Sequence, residues 1–175
     1  MDAIIRPVKT EDESEIFRLY KKVAKTPGGI ARFEHEITEE YIKNNLEKSL
    51  NNGVSFVVED PSKHFLIAEI HASRPFPEVF HHILSDLTIV VDPDFQGEGI
   101  GKKLFTSFLE HIENQKQDIL RVELIARESN TKAIHFYEKL GFNIEGRFEN
   151  RIYTGEDNFE ADIPMAWFNT NYRLS

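Results

Sequence analysis

Hydrophobic side chains recur along the chain at two spacings, and each spacing predicts one kind of element. Spacings of three and four residues, which place apolar side chains on one helical face, occur in four segments. Their stripes are Ile16, Leu19, Tyr20 and Val23; Ile42, Leu46 and Leu50; Leu104, Phe105, Phe108 and Ile112; and Ala133, Phe136, Tyr137 and Leu140. Alternating or continuous apolar runs predict strands at 3–8, 54–59, 65–70, 84–91, 121–126, 144–153 and 159–168.

The order of these elements predicts the fold class. Strands precede and alternate with helices, which is typical of an α/β or α+β domain built around one mixed sheet. No linker or repeat interrupts the 175 residues, so we expect a single domain over residues 1–175. Thr10 and Glu13 fit a capping box before the first helix, and Asn130 fits an N-cap of the last. Pro164 lies inside the last predicted strand, where we expect an edge or a bulge.

Composition narrows the range of functions. With 40% hydrophobic residues and 14 Phe, the chain is too apolar to be disordered. A sequence without cysteine excludes disulfides, thiolate metal sites and a cysteine nucleophile, and because no ligand spacing links the histidines we expect no metal. The formal charge of −9 argues against a nucleic-acid partner and favours cationic ones. Neither a signal peptide nor a membrane-length apolar run is visible, so we expect a cytoplasmic protein with no membrane partner.

A glycine-rich loop after the strand at 84–91 carries the clearest chemical signal. It reads Gln96-Gly97-Glu98-Gly99-Ile100-Gly101-Lys102-Lys103 and opens the third helix. Unpaired N–H groups at a helix start bind phosphates, and glycines allow close approach. Lys102 and Lys103 oppose the helix dipole at a cost of up to about 1 kcal/mol each, which a bound anion would offset. The spacing fits neither a Walker A loop nor a dinucleotide fingerprint. The alternative is a tight turn in which the glycines serve geometry alone.

Two motifs together resemble the GNAT superfamily of acetyl-CoA-dependent N-acetyltransferases. Residues 96–101 are similar to its signature Q/R-x-x-G-x-G/A, and residues 130–142 are similar to its second motif, N-x-x-A-x-x-x-Y-x-x-x-G-F. The similarity is sharp over residues 84–145. It implies a GNAT-like mixed, mostly antiparallel sheet of about six or seven strands with about four helices. This sheet would be splayed between the strand ending at Val91 and the strand starting at Arg121.

The resemblance also implies how acetyl-CoA would bind as co-substrate. The backbone of the strand before the loop would bond the pantetheine arm, and N–H groups of the loop and first helical turn would bind the pyrophosphate. The asparagine before the last helix would hold the cofactor as well as cap the helix. These positions are Ile89, Val90 and Val91; Gln96, Gly97, Glu98, Gly99, Ile100, Gly101 and Lys102; and Asn130. We expect the Glu98 side chain to point to solvent.

Two side chains are catalytic candidates by the same resemblance. Tyr137 stands where relatives have a tyrosine that protonates the leaving thiolate; by its helical position alone it would be a core aromatic. Only a neutral amine attacks, so a base is needed. Many relatives place a glutamate ten residues before the loop glutamine, which falls here on Asp86, inside an otherwise apolar strand. Aspartate is shorter, so we expect it to act through a water; His82 or a water alone are the alternative bases.

These expectations describe an N-acetyltransferase that moves the acetyl group of acetyl-CoA to a primary amine by direct attack in a ternary complex. We expect a small cationic amine or amino-acid derivative as acceptor, because the loops that would line its site are acidic. These loops, 28–36 and 154–158, carry Glu34, Glu36, Glu156 and Asp157. A protein N-terminus or lysine in a basic peptide is the alternative acceptor, and a non-catalytic acyl-CoA-binding regulatory module is the alternative function. Relatives often use the last strand to shape the acceptor site or a dimer contact, so the resemblance also implies a homodimer as one option.

Overall fold

The computed structural model describes residues 3–26, 29–62, 65–155 and 157–173. Four α-helices and eight strands lie in these ranges. The helices are α1 (Glu13–Ala24), α2 (Glu39–Asn52), α3 (Ile100–Gln115) and α4 (Thr131–Lys139). The strands are β1 (Ile4–Pro7), β2 (Gly53–Asp60), β3 (Phe65–Ser73), β4 (Ile83–Val91), β5 (Arg121–Arg127), β6 (Asn143–Ile144), β7 (Phe148–Gly155) and β8 (Asn158–Phe168).

The strands are hydrogen-bonded in the order β1-β2-β3-β4-β5-β8-β6, and β7 also pairs with β8. β4 and β5 run parallel, at Ile83 with Arg121 and Leu84 with Val122. The pairs β1–β2, β2–β3, β5–β8, β6–β8 and β7–β8 are antiparallel. The predicted mixed, mostly antiparallel sheet with four helices is therefore confirmed. The predicted splay beyond the two β4–β5 residue pairs stays a prediction.

By its internal contacts the chain divides into two compact units. The N-terminal unit comprises Met1–Ser73 and Thr88–His111, and the C-terminal unit comprises Arg74–Leu87 and Ile112–Ser175. The expected single domain stays a prediction.

The core of the N-terminal unit lies where α1 and α2 cover the sheet. The predicted stripe of α1 is buried in full, and that of α2 is buried except for Leu50, which is 44% exposed near the end of the helix. Their partners include Val57, Leu66 and Val90 from three strands. Thr38 begins α2 as its N-cap, since its Oγ1 accepts a hydrogen bond from the N–H of Tyr41 at 3.1 Å.

A polar cluster lies inside this apolar core. Glu69 of β3 is 2% exposed, and its carboxylate accepts hydrogen bonds from the hydroxyls of Tyr20 (2.7 Å) and Ser55 (2.9 Å). Nδ1 of His71 lies 3.1 Å from both of its oxygens. Burial, together with the nearby charge of Glu69, raises the pKa of Tyr20 well above its usual value. Several donors around one buried carboxylate are what such a group requires.

The start of α1 is capped differently from the prediction. Residues Thr10–Asp12 form a 3-10 turn, and the carboxylate of Asp12 accepts the hydrogen bond from the N–H of Lys9 at 2.8 Å. Arg6 of β1 donates to the same carboxylate through Nη1 and Nη2, each at 2.8 Å. The predicted box of Thr10 and Glu13 is therefore wrong. The chain enters α1 through an extra 3-10 turn, so the cap is the carboxylate of Asp12, which Arg6 also reaches.

The core of the C-terminal unit is built on β5 and β8. Their register runs from Arg121 opposite Phe168 to Arg127 opposite Asp162. The side chains on one face of this pair are buried: Val122, Leu124, Ala126, Ala161, Ile163 and Met165. Helix α4 ends before Gly141, whose φ of +93° is the left-handed conformation expected of a glycine after a helix.

Pro164 lies within β8, opposite Ile125 of β5. On its other side β8 pairs with β7 between Asn158 and Asp162, and with β6 at Met165 and Ala166. The interruption between these two partners lies beside Pro164, whose carbonyl accepts a hydrogen bond from the N–H of Glu145 at 2.9 Å. The expected edge strand is therefore wrong: the irregularity lies in the partner strands. It also divides the predicted strand 144–153 into β6 and β7, which gives eight strands in the described residues rather than six or seven.

Candidate active site

The glycine loop joins β4 to α3 in the N-terminal unit. Gly97 and Gly99 have φ values of +88° and +77°, and a Cβ added to either would meet nothing within 4 Å. A Cβ on Gly101 would lie 3.4 Å from Cγ2 of Val91. The first two glycines therefore permit a left-handed backbone, and the space beside them is open. Nε2 of Gln96 donates to the carbonyl of Val91 at 3.4 Å, closing the loop onto the strand.

The start of α3 fits an anionic group. The helix begins at Ile100, which is buried, and its first N–H groups have no acceptor inside the helix. Lys102 and Lys103 are exposed in its first turn, where their charges oppose the helix dipole, and Glu98 is exposed in the loop. A diphosphate would suit this site, because the space is open, the first helical N–H groups have no acceptor inside the helix, and two lysines lie nearby.

The strand that leads into the loop alternates in burial. Val90 is buried, whereas Ile89 and Val91 on either side are partly exposed. All three lie in β4, so the predicted cofactor positions from Ile89 to Lys102 form one continuous segment of the N-terminal unit. The assignment of these residues to acetyl-CoA stays a prediction.

Asp86 and His82 lie in the C-terminal unit. Asp86 has a φ of +55° in the middle of β4, and its side chain is exposed. The carboxylate therefore does not bear the cost of burial that its apolar neighbours in the sequence suggested. Its left-handed backbone costs on the order of 1–3 kcal/mol, because the residue is not glycine. The carbonyl of His82 accepts hydrogen bonds from the N–H groups of Leu120 (2.8 Å) and Arg121 (3.2 Å), so its backbone holds the start of β5.

Tyr137 and Asn130 are placed by α4. The Tyr137 ring packs against Phe136 and Phe142, with ring centroids 5.5 and 6.0 Å apart. The side chain is partly exposed, yet burial around the phenol raises the pKa of Tyr137 to about 12. Oδ1 of Asn130 accepts a hydrogen bond from the N–H of Ala133 at 3.1 Å, which confirms the predicted N-cap.

The carboxylates of the first predicted acceptor loop already have local roles. Glu34 lies 3.6 Å from Nζ of Lys25, and Oε2 of Glu36 accepts a hydrogen bond from the N–H of Phe33 at 2.8 Å. Phe33 itself is 62% exposed and stacks on His35 with centroids 5.6 Å apart. Gly28 and Glu156, which the same prediction includes, lie outside the described residues. The described part of this loop therefore presents an exposed aromatic ring beside carboxylates that already have partners within the molecule.

Sequence reasoning missed one group of charged residues beside the glycine loop. Nζ of Lys22, in the last turn of α1, lies 2.6 Å from Oδ1 of Asp92 and 2.6 Å from Oδ2 of Asp94. Lys22 precedes the two aspartates by about 70 residues, so no local pattern could have joined them.

Two other features are absent from the described residues. No three His, Asp or Glu side chains there lie together as a metal site would require. None of the helices in that part of the chain is long and apolar enough to span a bilayer.

Curated relatives match about half of the chain. A ribosomal protein bS18-alanine N-acetyltransferase of Escherichia coli (strain K12) is 38% identical over 78 residues, or 45% of this chain and 51% of that protein. A spermidine N(1)-acetyltransferase of the same strain is 29% identical over 96 residues, or 54% of this chain and 50% of that protein. The chain thus spans about half the length of the curated relatives it matches.

A solved structure and a family profile extend the comparison. The GNAT superfamily phosphinothricin acetyltransferase from Sinorhizobium meliloti, in complex with AcCoA, matches with a TM-score of 0.83 at 16% identity, covering 100% of this chain and 92% of that one. At this identity the likeness concerns the fold. The profile described as acetyltransferase (GNAT) domain matches residues 51–144, more than half of the sequence. The resemblance predicted from the two motifs is confirmed, and the chain belongs to the GNAT acetyltransferase family.

Proposed function

We propose that the protein transfers the acetyl group of acetyl-CoA to a primary amine by direct attack in a ternary complex. One observation carries this proposal: the open, left-handed backbone at Gly97 and Gly99 directly before the first turn of α3. A glycine-lined helix start with two lysines in its first turn suits the pyrophosphate of coenzyme A. A cytoplasmic location is part of the proposal.

The cofactor-binding residues follow from this placement. Backbone N–H groups from Gly97 to Lys102 would bind the pyrophosphate, with Gln96 holding the loop closed. The backbone of Ile89, Val90 and Val91 would bond the pantetheine arm, and a β4 N–H would serve as oxyanion donor. Asn130 would contact the cofactor from its position at the start of α4.

Tyr137 would act on the leaving sulfur. A pKa of about 12 keeps its phenol protonated at neutral pH. A thiol has a reference pKa near 8.5, so complete transfer from that phenol is uphill by roughly 5 kcal/mol. We therefore propose that Tyr137 stabilises the departing thiolate chiefly by donating a hydrogen bond, and that solvent completes the protonation.

Asp86 would accept the proton of the attacking amine. An alkyl ammonium has a pKa near 10.4, so at pH 7 only a small fraction is the neutral, reactive form. The exposed carboxylate of Asp86 can reach an amine through one water. His82 is the alternative base.

The acceptor is proposed to be a small cationic amine or amino-acid derivative. The net charge of −9 favours such molecules, and one relative is named for spermidine. A peptide N-terminus is the second candidate, because another relative is named for an alanine of a ribosomal protein and Phe33 offers an exposed aromatic contact. A binding module without catalysis is the third candidate.

Two measurements on the intact chain test the proposal. Calorimetric titration with coenzyme A tests the cofactor loop, and thiol release from acetyl-CoA tests catalysis across spermidine, an amino sugar, an amino-acid amide and an alanine-starting peptide. We expect binding, and turnover with at least one amine. Binding without turnover by any amine would favour the non-catalytic module, and no binding at all would overturn the proposal.

A further inference from the structure

Lys22 connects the end of α1 to the turn that precedes the glycine loop. Its ammonium lies 2.6 Å from one carboxylate oxygen of Asp92 and 2.6 Å from one of Asp94. Partial burial of Lys22 works against its charge, but the hydrogen bonds to the two aspartates outweigh that effect and raise the pKa of Lys22. All three residues belong to the N-terminal unit.

All polar groups of Asp92 except one carboxylate oxygen have hydrogen-bond partners among the described residues. It is 1% exposed; its N–H donates to the carbonyl of Ile67 at 2.8 Å, and its carbonyl accepts from the N–H of Phe95 at 2.9 Å. Oδ1 accepts from the N–H of Asp94 at 3.0 Å as well as from Lys22. Oδ2 has no hydrogen-bond partner among the described residues. A buried carboxylate in this state depends on its counter-charge, since removing one partner leaves the other uncompensated.

The turn set by Asp92 leads directly into the loop. Residues Pro93–Phe95 form a 3-10 turn capped by the Asp92 side chain, and the carbonyl of Pro93 accepts from the N–H of Gln96 at 3.4 Å. The Phe95 ring packs on Phe65 of β3 with centroids 5.9 Å apart. A loop already held in its binding conformation gains affinity, because less ordering is left for the ligand to bring about. Lys22 also neutralises carboxylates that would otherwise repel an anion bound next to them.

We infer that Lys22 is a positioning residue for coenzyme A: by holding Asp92 and Asp94 it fixes the turn from which the glycine loop starts. This inference rests on the proposed function of that loop. Lys22 acts through the two aspartates and contacts neither the cofactor nor the reacting atoms.

The test compares Lys22→Met with Lys22→Arg and with Lys43→Met. Lys43 is an exposed residue of α2, 3.9 Å from Glu47, so its substitution removes the same charge away from the loop. For Lys22→Met we expect the Kd of coenzyme A and the KM of acetyl-CoA to rise about tenfold or more, with kcat within about threefold of wild type. We expect Lys22→Arg to bind coenzyme A within about threefold of wild type, because the guanidinium can bridge two carboxylates. We expect Lys43→Met to bind coenzyme A with wild-type affinity.

A second pair of variants keeps the inference testable if Lys22→Met unfolds. Asp94 is the exposed partner, so Asp94→Asn leaves the buried pair intact and we expect a rise in Kd of about two- to fivefold. The double variant Lys22→Met/Asp92→Asn removes both charges of the buried pair, so no uncompensated charge is left at Asp92. We expect it to bind coenzyme A more tightly than Lys22→Met alone.

The outcomes separate this inference from the proposed function. Wild-type protein that does not bind coenzyme A overturns the proposed function. Wild-type protein that binds, together with a Lys22→Met variant that binds within about twofold of it, overturns the inference alone. A fall in kcat as large as the loss of affinity would also overturn it, since positioning of the cofactor loop predicts a change in binding.

Discussion

Tyr137 combines a protonated phenol with a partly exposed ring at the end of α4. Because burial raises the pKa of Tyr137 to about 12, its proton is retained across the neutral and mildly alkaline range. We expect Tyr137→Phe to lower kcat by about 100-fold, as loss of a hydrogen-bond donor to a developing negative charge does, with the KM for acetyl-CoA nearly unchanged. Steady-state kinetics with the best acceptor amine measures both constants.

The pH profile provides the control for this assignment. Ionisation of Tyr137 would reduce kcat only as the pH approaches 12, so the wild-type profile should show no loss due to this group up to about pH 10. Turnover that Tyr137→Phe leaves intact would contradict hydrogen-bond donation from Tyr137 to the departing thiolate.

Gly99 can be tested separately from the general cost of its backbone conformation. Its φ of +77° disfavours a Cβ, at a cost of about 1–2 kcal/mol, although no atom lies within 4 Å of the added carbon. Gly155, with φ +97° and equally open surroundings, is the matched control. We expect Gly99→Ala and Gly155→Ala to lose similar stability in denaturant unfolding, and only Gly99→Ala to weaken coenzyme A binding, by about tenfold. Equal affinities would show that the loop does not approach the cofactor.

Single residues were predicted well where the signal is local. Asn130 caps α4 as predicted, because a cap depends on neighbouring backbone alone. Asp86 shows the limit: an apolar neighbourhood suggested burial, whereas the structure turns its side chain outward at a left-handed position. The sequence contains no local sign of that reversal.

At the scale of elements, the link between β1 and α1 depends on Asp12. Burial raises the pKa of its carboxyl, but hydrogen bonds from Arg6 and the Lys9 N–H outweigh burial and lower that pKa below the usual value. A lowered folded-state pKa contributes stability above the unfolded pKa near 3.9, and this contribution is lost as the pH falls through the folded value. We therefore expect Asp12→Asn to cost about 1–3 kcal/mol at pH 7.

The pH dependence distinguishes this ion pair from simple packing. The difference in unfolding free energy between wild type and Asp12→Asn should shrink as the pH is lowered from about 5 toward 2, measured by urea unfolding. Glu11→Gln, an exposed change in the same turn, should stay within about 0.5 kcal/mol of wild type throughout. A difference that does not vary with pH would contradict the ionic account.

Element types were predicted more reliably than element ends. The strands and helices were found because their apolar spacings differ, yet the run 144–153 divides into β6 and β7. The gap between β6 and β7 lies beside Pro164 of the continuous strand β8. Strand partners are set by the assembled sheet, so a periodicity read from one segment cannot locate the gap.

At the scale of the whole molecule, net charge gives a prediction about acceptors. A charge of −9 attracts polycations more strongly than monocations, and salt screens that attraction. If spermidine is an acceptor, its kcat/KM should fall several-fold between about 20 and 200 mM NaCl, and more steeply than that of a singly charged amine. Initial rates at low substrate over a salt series measure this. Equal slopes for the two amines would argue that local contacts, rather than overall charge, select the acceptor.

The arrangement of distant segments is what the sequence predicted least. Two compact motifs were enough for the family, because each lies within about 15 consecutive residues. The contact of Lys22 with Asp92 and Asp94, and the burial of Glu69 beneath Tyr20, join segments about 50 to 70 residues apart. Such pairs follow from how the helices cover the sheet, which a single sequence does not specify.

The left-handed backbone at Asp86 determines how mutagenesis of the proposed base must be interpreted. An alanine there would delete the carboxylate and also introduce a residue that tolerates φ +55° poorly. A loss of activity could then result from the missing carboxylate or from distortion of β4. Asparagine keeps the side-chain shape and tolerates that conformation, and glycine removes the side chain while relaxing the backbone. If Asp86→Asn and Asp86→Gly are equally slow, the deficit belongs to the missing carboxylate; if glycine alone is impaired, β4 has lost its shape.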